Sequence, residues 1–414
     1  MTTLASICEL IIDCEHKTAP TVENGYPLIR TPDIGIGRLH IEGASRVDEA
    51  TYDQWTKRAA PREGDLILAR EAPVGNIGII KSGVRPVLGQ RTVLIRPKTD
   101  ILDSGYLNYL LSSPPLRGWM IGVANGATVP HLNMSDIRSM EIPVMPSIDS
   151  QRKIASVLTD YDDLIENNSR RIKLLEEMAQ RIYREWFVDF RYPGHEDARL
   201  VDSRLGPIPE DWMAKCVSDR FSVVLGGTPS RTNSHYWSNG TVPWINSGQV
   251  NRLRVIEASE MITPEALKSS STKLMPRGTT LLAITGATLG QVSLLEIEAC
   301  ANQSVVGIYD EQCELAEYLY LAITNSIESI IGAATGGAQQ HINQQNVKDT
   351  LIMLPSPEIG AMFRSRVQPL VALSTNLLRA NQGLKVCRDL LLPRLISGQV
   401  DVSELPILSP ETVA

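Results

Sequence analysis

What this 414-residue sequence lacks narrows its function early. No apolar run approaches the roughly 18 residues of a membrane-spanning helix. Met1-Thr2-Thr3-Leu4 opens without a basic stretch or signal pattern, so the chain is expected to stay in the cytoplasm, with no membrane partner. The six cysteines (Cys8, Cys14, Cys216, Cys300, Cys313, Cys387) form no CxxC pair, which favours free buried thiols over a disulfide or zinc framework. Basic charge is not in excess either: 40 Lys and Arg face 47 Asp and Glu, for a formal net charge of −7. Neutralising phosphates calls for a basic face, so this balance argues mildly against a free-standing nucleic-acid binder, although a local patch or a partner can supply one.

Signatures of chemistry are missing too. Asp33-Ile34-Gly35-Ile36-Gly37 lacks the third glycine and the strand–helix context of a dinucleotide fingerprint. Gly286-Ala287-Thr288-Leu289-Gly290 lacks the Lys-Ser/Thr of a P-loop, so both runs are read as turns. Ser113-Pro114-Pro115-Leu116 has neither the amide or acid nor the aromatic of an amino-methyltransferase signature. Glu15-His16-Lys17, with Asp13 two residues before Glu15, resembles the acidic-x-Lys end of a nuclease site, but only Glu9 offers itself as the upstream acid. With six histidines, no metal-ligand spacing and no Ser/His/Asp set, the expectation is no catalytic residue and no metal ligand: a binder, not a catalyst.

What the sequence does contain is a repeat. Gly64 to Gly75 (GDLILAREAPVG) returns as Gly278 to Gly290 (GTTLLAITGATLG), and Gly89-Gln90-Arg91-Thr92-Val93 returns as Asn302-Gln303-Ser304-Val305-Val306. Gly126, Ala127, His131, Leu132 and Asn133 return as Gly337, Ala338, His341, Ile342 and Asn343. A spacing of about 210 residues is far beyond the roughly 20–50 of a solenoid unit and means two similar domains. Each copy ends in Pro146 or Pro355 and runs into a long helical pattern.

In the first of these, apolar positions step by four and three: Ile154, Leu158, Tyr161, Ile165, Asn168, Ile172, Leu175, Ala179, Ile182, Trp186. This 3.5-residue period is the mark of a coiled-coil seam. Asp149 or Ser150 can cap the start, and Pro193-Gly194 stops the pattern. Asn168 is either a buried register-fixing residue or a solvated one. In the second helix the same frame gives Phe363, Val367, Leu370, Ser374, Leu377, Asn381, Leu384, Arg388, Leu391 and Leu395, with Val371, Leu373, Leu378 and Leu390 widening the apolar face. Packing the helices on each other is the simplest solution; the alternative folds each back on its own globular domain. From Ile154 to Trp186 the first helix would measure about 48 Å.

The globular halves read as α+β, with close Gly and Pro punctuation and a twisted, bulged sheet. Strands are predicted at Leu66-Ile67-Leu68, Ile77 to Ile80, Val93-Leu94-Ile95, Leu281 to Ile284 and Val292 to Leu295, and helices around Tyr106 to Leu111 and Tyr318 to Thr324. Arg191 to Arg204, with Pro193-Gly194, reads as an exposed linker.

Three further phrases complete a pattern: Leu205-Gly206-Pro207-Ile208-Pro209-Glu210-Asp211-Trp212, the Gly-Gln and Asn-Gln turns, and Leu392-Pro393-Arg394-Leu395-Ile396-Ser397-Gly398-Gln399-Val400. In this order they make the chain, from about Ile11 to Leu405, resemble the DNA-specificity subunits of type I restriction–modification systems. The resemblance implies two target-recognition domains joined by two long helices packed as an antiparallel coiled coil. The boundaries would be 1–147 for the first domain, 148–190 for the central helix and 191–356 for the linker and second domain, followed by 357–396 for the distal helix and 397–414 for a tail. It also implies a bipartite double-stranded DNA target. The implied partners are two methyltransferase subunits and restriction (motor-nuclease) subunits. S-adenosylmethionine, ATP and magnesium would be bound in those partners and no cofactor in this chain. One departure is that the first half has no opening like Pro209-x-x-Trp212 and begins directly at Ile11 to Thr18.

Base edges are read by Arg, Lys, Asn, Gln and small hydroxyls, and phosphates by Lys, Arg and backbone amides. The candidates are His16, Lys17, Thr18, Arg30, Thr31, Arg70 and Arg91 in the first half, and Thr228, Ser230, Arg231, Asn246, Ser247, Gln249, Thr285 and Gln303 in the second. His131-x-Asn133 and His341-x-Asn343 recur in both halves, so they are read as serving folding or docking. Two rivals remain: a recognition-domain pair from another restriction–methylation enzyme, and a coiled-coil scaffold that binds no DNA.

Overall fold

A computed structural model describes residues 2–126, 129–333 and 342–405. Ala127, Gly337, Ala338 and His341 of the repeat, and residues 406–414 of the tail, lie outside them. The described residues form two compact units, one within Met1–Glu166 and Gly383–Ala414 and the other within Asn167–Gln382.

The repeat is a repeat of topology. In the first unit a five-stranded sheet runs Cys8–Asp13, Thr92–Pro97, Leu66–Ala69, Ile77–Ile79, Ile36–Gly37, antiparallel except for the parallel last pair. In the second the order is Ser222–Leu225, Val305–Tyr309, Thr280–Ala283, Val292–Leu295, Arg254–Val255, again antiparallel up to a parallel last pair. Beside it, Tyr26–Ile29 lies between antiparallel Ser45–Val47 and parallel Val87–Leu88. Its counterpart Val242–Ile245 lies between antiparallel Glu260–Ile262 and parallel Ala299–Ala301, with Leu274–Met275 added beyond. Leu66–Ala69 and Thr280–Ala283 are buried throughout, as central strands covered on both faces must be. The glycines that bound the repeated phrase, Gly64 and Gly75 or Gly278 and Gly290, all take positive φ (79° to 87°), which a side chain resists. The expected bulge is present, between Cys8 and Leu10.

A third, two-stranded ribbon corrects the reading of the N-terminal half. Thr2–Thr3 pairs with Glu141–Ile142 just as Met213–Cys216 pairs with Leu351–Leu354. The shared framework therefore starts upstream of Ile11, and what the second half adds is the hairpin Leu200–Ser203 with Gly206–Pro209. The cysteines are free as expected, but only Cys8, Cys14 and Cys300 are buried; Cys313 and Cys387 are exposed. Among the described residues no helix is long and apolar enough to cross a membrane.

Two 40-residue helices carry the seams, the central helix Ile148–Phe187 and the distal helix Pro357–Ile396. Ser147, not Asp149 or Ser150, caps the central helix: its Oγ accepts from the Ser150 N–H at 3.3 Å. The helix also ends before Pro193-Gly194. Phe190 turns left-handed at φ 58°, and Asp189 and Arg191 donate back to the carbonyls of Arg184 and Glu185 at 2.9 and 2.7 Å.

Within each unit the helix segments run antiparallel. In the second, Asn168 meets Asn381, while Trp186 and Phe187 pack on Phe363 with ring centroids 5.8 and 4.9 Å apart. In the first, Asp162 pairs with Arg388, and Ile154 and Leu158 share a core with Leu392 and Leu395. Ile154, Leu158, Ile165, Ile172, Ala179, Trp186, Phe363, Val367, Leu377 and Leu395 are buried; Tyr161, Leu175, Ile182, Leu370, Leu384 and Leu391 are half-buried. Leu373 and Leu390 do not widen the apolar face, being 39% and 60% exposed. The helices pack on their domains as well as on each other. Ala179, Tyr183, Trp186, Phe187, Phe363 and Val367 join one core with Leu282, Leu294 and Tyr318 of the second domain.

The open question about Asn168 is settled by burial. Its Nδ2 donates to Asn381 Oδ1 at 2.9 Å with both residues at most 6% exposed, and Asn381 Nδ2 reaches Ser169 Oγ at 3.2 Å. Replacing Asn168 by Leu should lower the unfolding free energy by about 1–3 kcal/mol, because Asn381 loses a buried partner. Asn168→Leu with Asn381→Leu should recover much of that loss. Additive losses in a double-mutant cycle followed by thermal unfolding would contradict the pairing.

Candidate nucleic-acid interface

The sheets bring most of the candidate residues to one end of each domain. Asp13 pairs with Val93 and Ala69 with Thr92, so the chain leaves the sheet at this end towards His16, Lys17 and Thr18 and towards Arg70, and enters it from Arg91. Arg30 and Thr31 follow Ile29, whose carbonyl accepts from the Gly89 N–H at 2.8 Å. In the second domain Leu225 pairs with Val306 and Ala283 with Val305, which gathers Thr228, Ser230, Arg231, Thr285 and Gln303. Asn246 and Ser247 follow Ile245, whose carbonyl accepts from the Asn302 N–H at 3.0 Å.

Geometry separates these side chains by what already holds them. Arg70 is turned inward, with Nη1 2.9 Å from Asp13 Oδ2 and Nε donating to the Leu132 carbonyl at 2.8 Å. Gln249 is buried, and its amide suits the Glu257 carbonyl and Ser259 N–H. Asn246 caps the short helix Ser247–Asn251 through the Gly248 N–H. A DNA contact through the engaged atoms of any of the three requires breaking these bonds. Arg30 sits above Asp33 at 3.7 Å, and Arg91, at φ 65°, reaches Glu71 at 3.1 Å. Lys17 is exposed and makes no ion pair among the described residues. Thr18 accepts from Gln90 at 3.3 Å, Thr228 bonds Gln303, and Ser230 bonds Thr232 at 2.8 Å.

Arg231 is stacked rather than free. Its guanidinium lies 3.6 Å from the Trp237 ring centroid and 4.9 Å from that of Trp244, and both of its terminal nitrogens bond Glu260. The hydrogen bond from Arg231 holds the Glu260 carboxyl below its usual pKa. Trp237, Trp244 and Glu260 escaped the sequence reading because only the fold turns Trp237 back onto Arg231 and brings the strands of Trp244 and Glu260 to it.

Asp13, Cys14 and His16 place ligand-type atoms within 4.8 Å of one another, an arrangement the spacing did not reveal. Two features disfavour a cation there. Asp13 Oδ2 already bonds both His16 Nε2 and Arg70, each at 2.9 Å, and burial pushes the Cys14 thiol pKa up, which keeps it protonated. The trio works as a hydrogen-bonded brace for the loop that carries Lys17.

The repeated Asn133 and Asn343 start equivalent short helices, Met134–Ser139 and Gln344–Asp349. Asn343 caps its helix through the Asn346 N–H at 2.8 Å, and Asn133 bonds Asp136 at 3.1 Å.

Two stretches of the chain, residues 6–177 and 209–379, match the type I restriction modification DNA specificity domain. The chain belongs to this family. Similar proteins include the type I restriction enzyme MjaIX specificity subunit of Methanocaldococcus jannaschii, 28% identical over 88% of this chain and 83% of that protein. The HindI specificity subunit of Haemophilus influenzae is 24% identical over 76% and 81%. The crystal structure of a type I restriction-modification system S subunit from M. genitalium has the same fold, with a TM-score of 0.62, 14% identity and 95% of each chain covered.

In a specificity subunit built on a duplicated framework, the loops at the shared end are where the halves are free to differ. Here Cys14 to Thr18 and Gly226 to Arg231 follow equivalent strands and share one feature, a threonine (Thr18 or Thr228) bonded to the glutamine of the repeated turn (Gln90 or Gln303), while their other side chains differ. Arg70→Ala should cost about 1.5–3 kcal/mol of stability, since it removes a partner of a partly buried carboxylate and a bond to the Leu132 carbonyl. Lys17→Ala should leave stability within about 0.5 kcal/mol. It should instead weaken DNA binding by the assembled complex across sequences and make its salt dependence shallower by about one unit of slope. Thermal unfolding and salt titration of binding separate the two roles; a stable Arg70→Ala protein with reduced DNA binding would reverse them.

Proposed function

We propose that this chain is the DNA-specificity subunit of a type I restriction–modification complex and that each domain reads one half-site of a bipartite duplex target. One observation carries the reading: two domains share sheet order, strand direction and bounding glycines but differ in the loops at the common end. The same platform with different contacts suits two different half-sites. In this reading His16, Lys17, Thr18, Thr31, Ser230, Thr285 and Gln303 face DNA, while Arg70, Gln249 and Asn246 hold the loops in shape. The chain recruits two methyltransferase subunits and restriction subunits, and those partners supply the catalysis and bind S-adenosylmethionine, ATP and magnesium. The long helices set the length of the unread spacer between half-sites.

Reconstitution tests this directly. Expressed with its methyltransferase partner, the chain should confer methylation of a single two-part motif, read by methylome sequencing. The purified chain alone should neither methylate nor cleave DNA. Methyl transfer by the isolated chain, lost on substituting its own residues, would refute the division of labour. DNA binding that is absent even with the partner would favour a scaffold role.

Because the helix segments pair antiparallel, spacer length is tested by matched insertions. Four residues added after Glu166 and four after Gln382 lengthen both helices by about 6 Å and rotate the downstream segment of each by about 40°. At about 3.4 Å per base pair, the added length corresponds to one to two pairs. Duplex DNA turns by about 34–36° for each added pair, so groove and domain stay nearly in phase after a one-pair change. The expected motif keeps both half-sites and gains one or two pairs of spacer. Insertion into one helix only slides it past its neighbour and should abolish activity. An unchanged spacer in the doubly inserted protein would show that the helices do not set it.

A further inference from the structure

In each unit an edge of the larger sheet meets the long helices through charged side chains. An arginine stands at one position in both, Arg38 facing Asp162 at 3.9 Å and Arg254 facing Glu176, while the neighbouring position carries opposite charges. In the second unit Arg254, on the edge strand, is fully buried with Nη2 2.6 Å from Glu176 Oε1 on the central helix. Its guanidinium lies 4.7 Å from the Tyr320 ring centroid. Next to it, the Glu296 N–H donates to the Val255 carbonyl at 2.9 Å. Glu296 Oε1 accepts from Thr375 at 2.8 Å and its carbonyl from Arg379 at 3.2 Å, both on the distal helix. One strip of sheet edge thus grips both helices.

The first unit repeats the Glu296 position with the sign reversed. Gly64 N–H bonds the Ile80 carbonyl as Gly278 N–H bonds that of Leu295, so Lys81 stands where Glu296 stands. Lys81 Nζ reaches Asp163 at 3.0 Å and Glu166 at 2.9 Å on the central helix, and Glu166 holds the place in the helix repeat that Thr375 holds in the other. A second-domain edge presented to Asp163 and Glu166 would set Glu296 against two carboxylates.

We propose that Arg254 and Glu296 are positioning residues, which fix the height and rotation of the second recognition domain on its helix segments and thereby how strictly spacer length is read. This rests on the proposed reading of a bipartite target. Energetics support a positioning role over a stabilising one. Among the described residues, Arg254 Nε and Glu176 Oε2 find no hydrogen-bond partner, so the pair is incompletely satisfied, and apolar replacements of such buried pairs are often neutral or stabilising. What an apolar pair cannot do is penalise misalignment. Sliding the domain by one helical turn would separate the buried Arg254 charge from its hydrogen-bonded partner Glu176.

The test uses the full chain assembled with its methyltransferase partner. Duplexes carry both half-sites with the natural spacer or one base pair more or less. Arg254→Met with Glu176→Met should fold and still methylate the natural target, but its preference for the natural spacer should fall at least tenfold. Thr375→Val, which keeps shape while removing the hydroxyl bond to Glu296, should lower that preference severalfold. If the double variant does not fold, Thr375→Val decides alone. Folded variants with wild-type spacer preference overturn the inference and leave the function intact. A wild-type complex that methylates no bipartite target overturns the function itself.

Discussion

The structure depends on two helices whose apolar stripes are too narrow to be left in water and too long to be covered by anything but another helix and a sheet edge. Each buried Leu- or Ile-sized side chain along such a seam contributes about 1.5–3 kcal/mol relative to exposure. That drives association but does not choose an alignment, because one apolar turn packs nearly as well as the next. Alignment comes from the polar exceptions. Asn168 with Asn381, Asp162 with Arg388 and Glu176 with Arg254 each find a partner in one register only. The seam therefore separates stability, carried by its apolar members, from register, carried by its few buried polar ones.

The domains show how a duplicated chain can diverge without losing its fold. The glycines around the Leu66–Ala69 and Thr280–Ala283 strands hold backbone turns that no other residue adopts cheaply, so both copies need them. The loops at the far strand ends carry no such demand. His16, Lys17 and Thr18 in one domain and Ser230 and Arg231 in the other follow equivalent strands, and the sheets hold the same order whichever residues stand there.

Charge is spent inside the molecule. Arg70 on Asp13, Arg96 on Asp65, Arg220 on Asp310, Arg254 on Glu176 and Arg388 on Asp162 are arginines used as structural bolts. Burial alone would raise the Asp310 pKa, but Arg220 and the N–H groups of Leu315 and Gln312 hold it below the usual carboxylate range. With a net charge of −7 and these guanidiniums engaged, the exposed cations at the loop ends, such as Lys17, Arg30 and Arg91, stand on an otherwise acidic molecule. A duplex held by this chain would need part of its phosphate neutralisation from the subunits assembled around it.

The sequence by itself determined the duplication, the seam, the main strands and the family, because glycine punctuation and the 3.5-residue period are local demands repeated along the chain. It could mark His16, Lys17 and Gln303 as polar loop residues but could not tell them from Arg70 or Gln249, whose side chains turn inward. It misplaced the helix cap, which fell to Ser147, and it credited Leu373 and Leu390 with burial they do not have. Only tertiary structure decided that Asn168 is buried against Asn381, that Trp237 and Trp244 stack on Arg231, and that Lys81 and Glu296 grip the helices with opposite charge. Trp237 and Trp244 are near Arg231 in the chain, and the other pairings join residues far apart. A side chain's partner across such a distance is set by sheet order and helix direction, which no local spacing encodes.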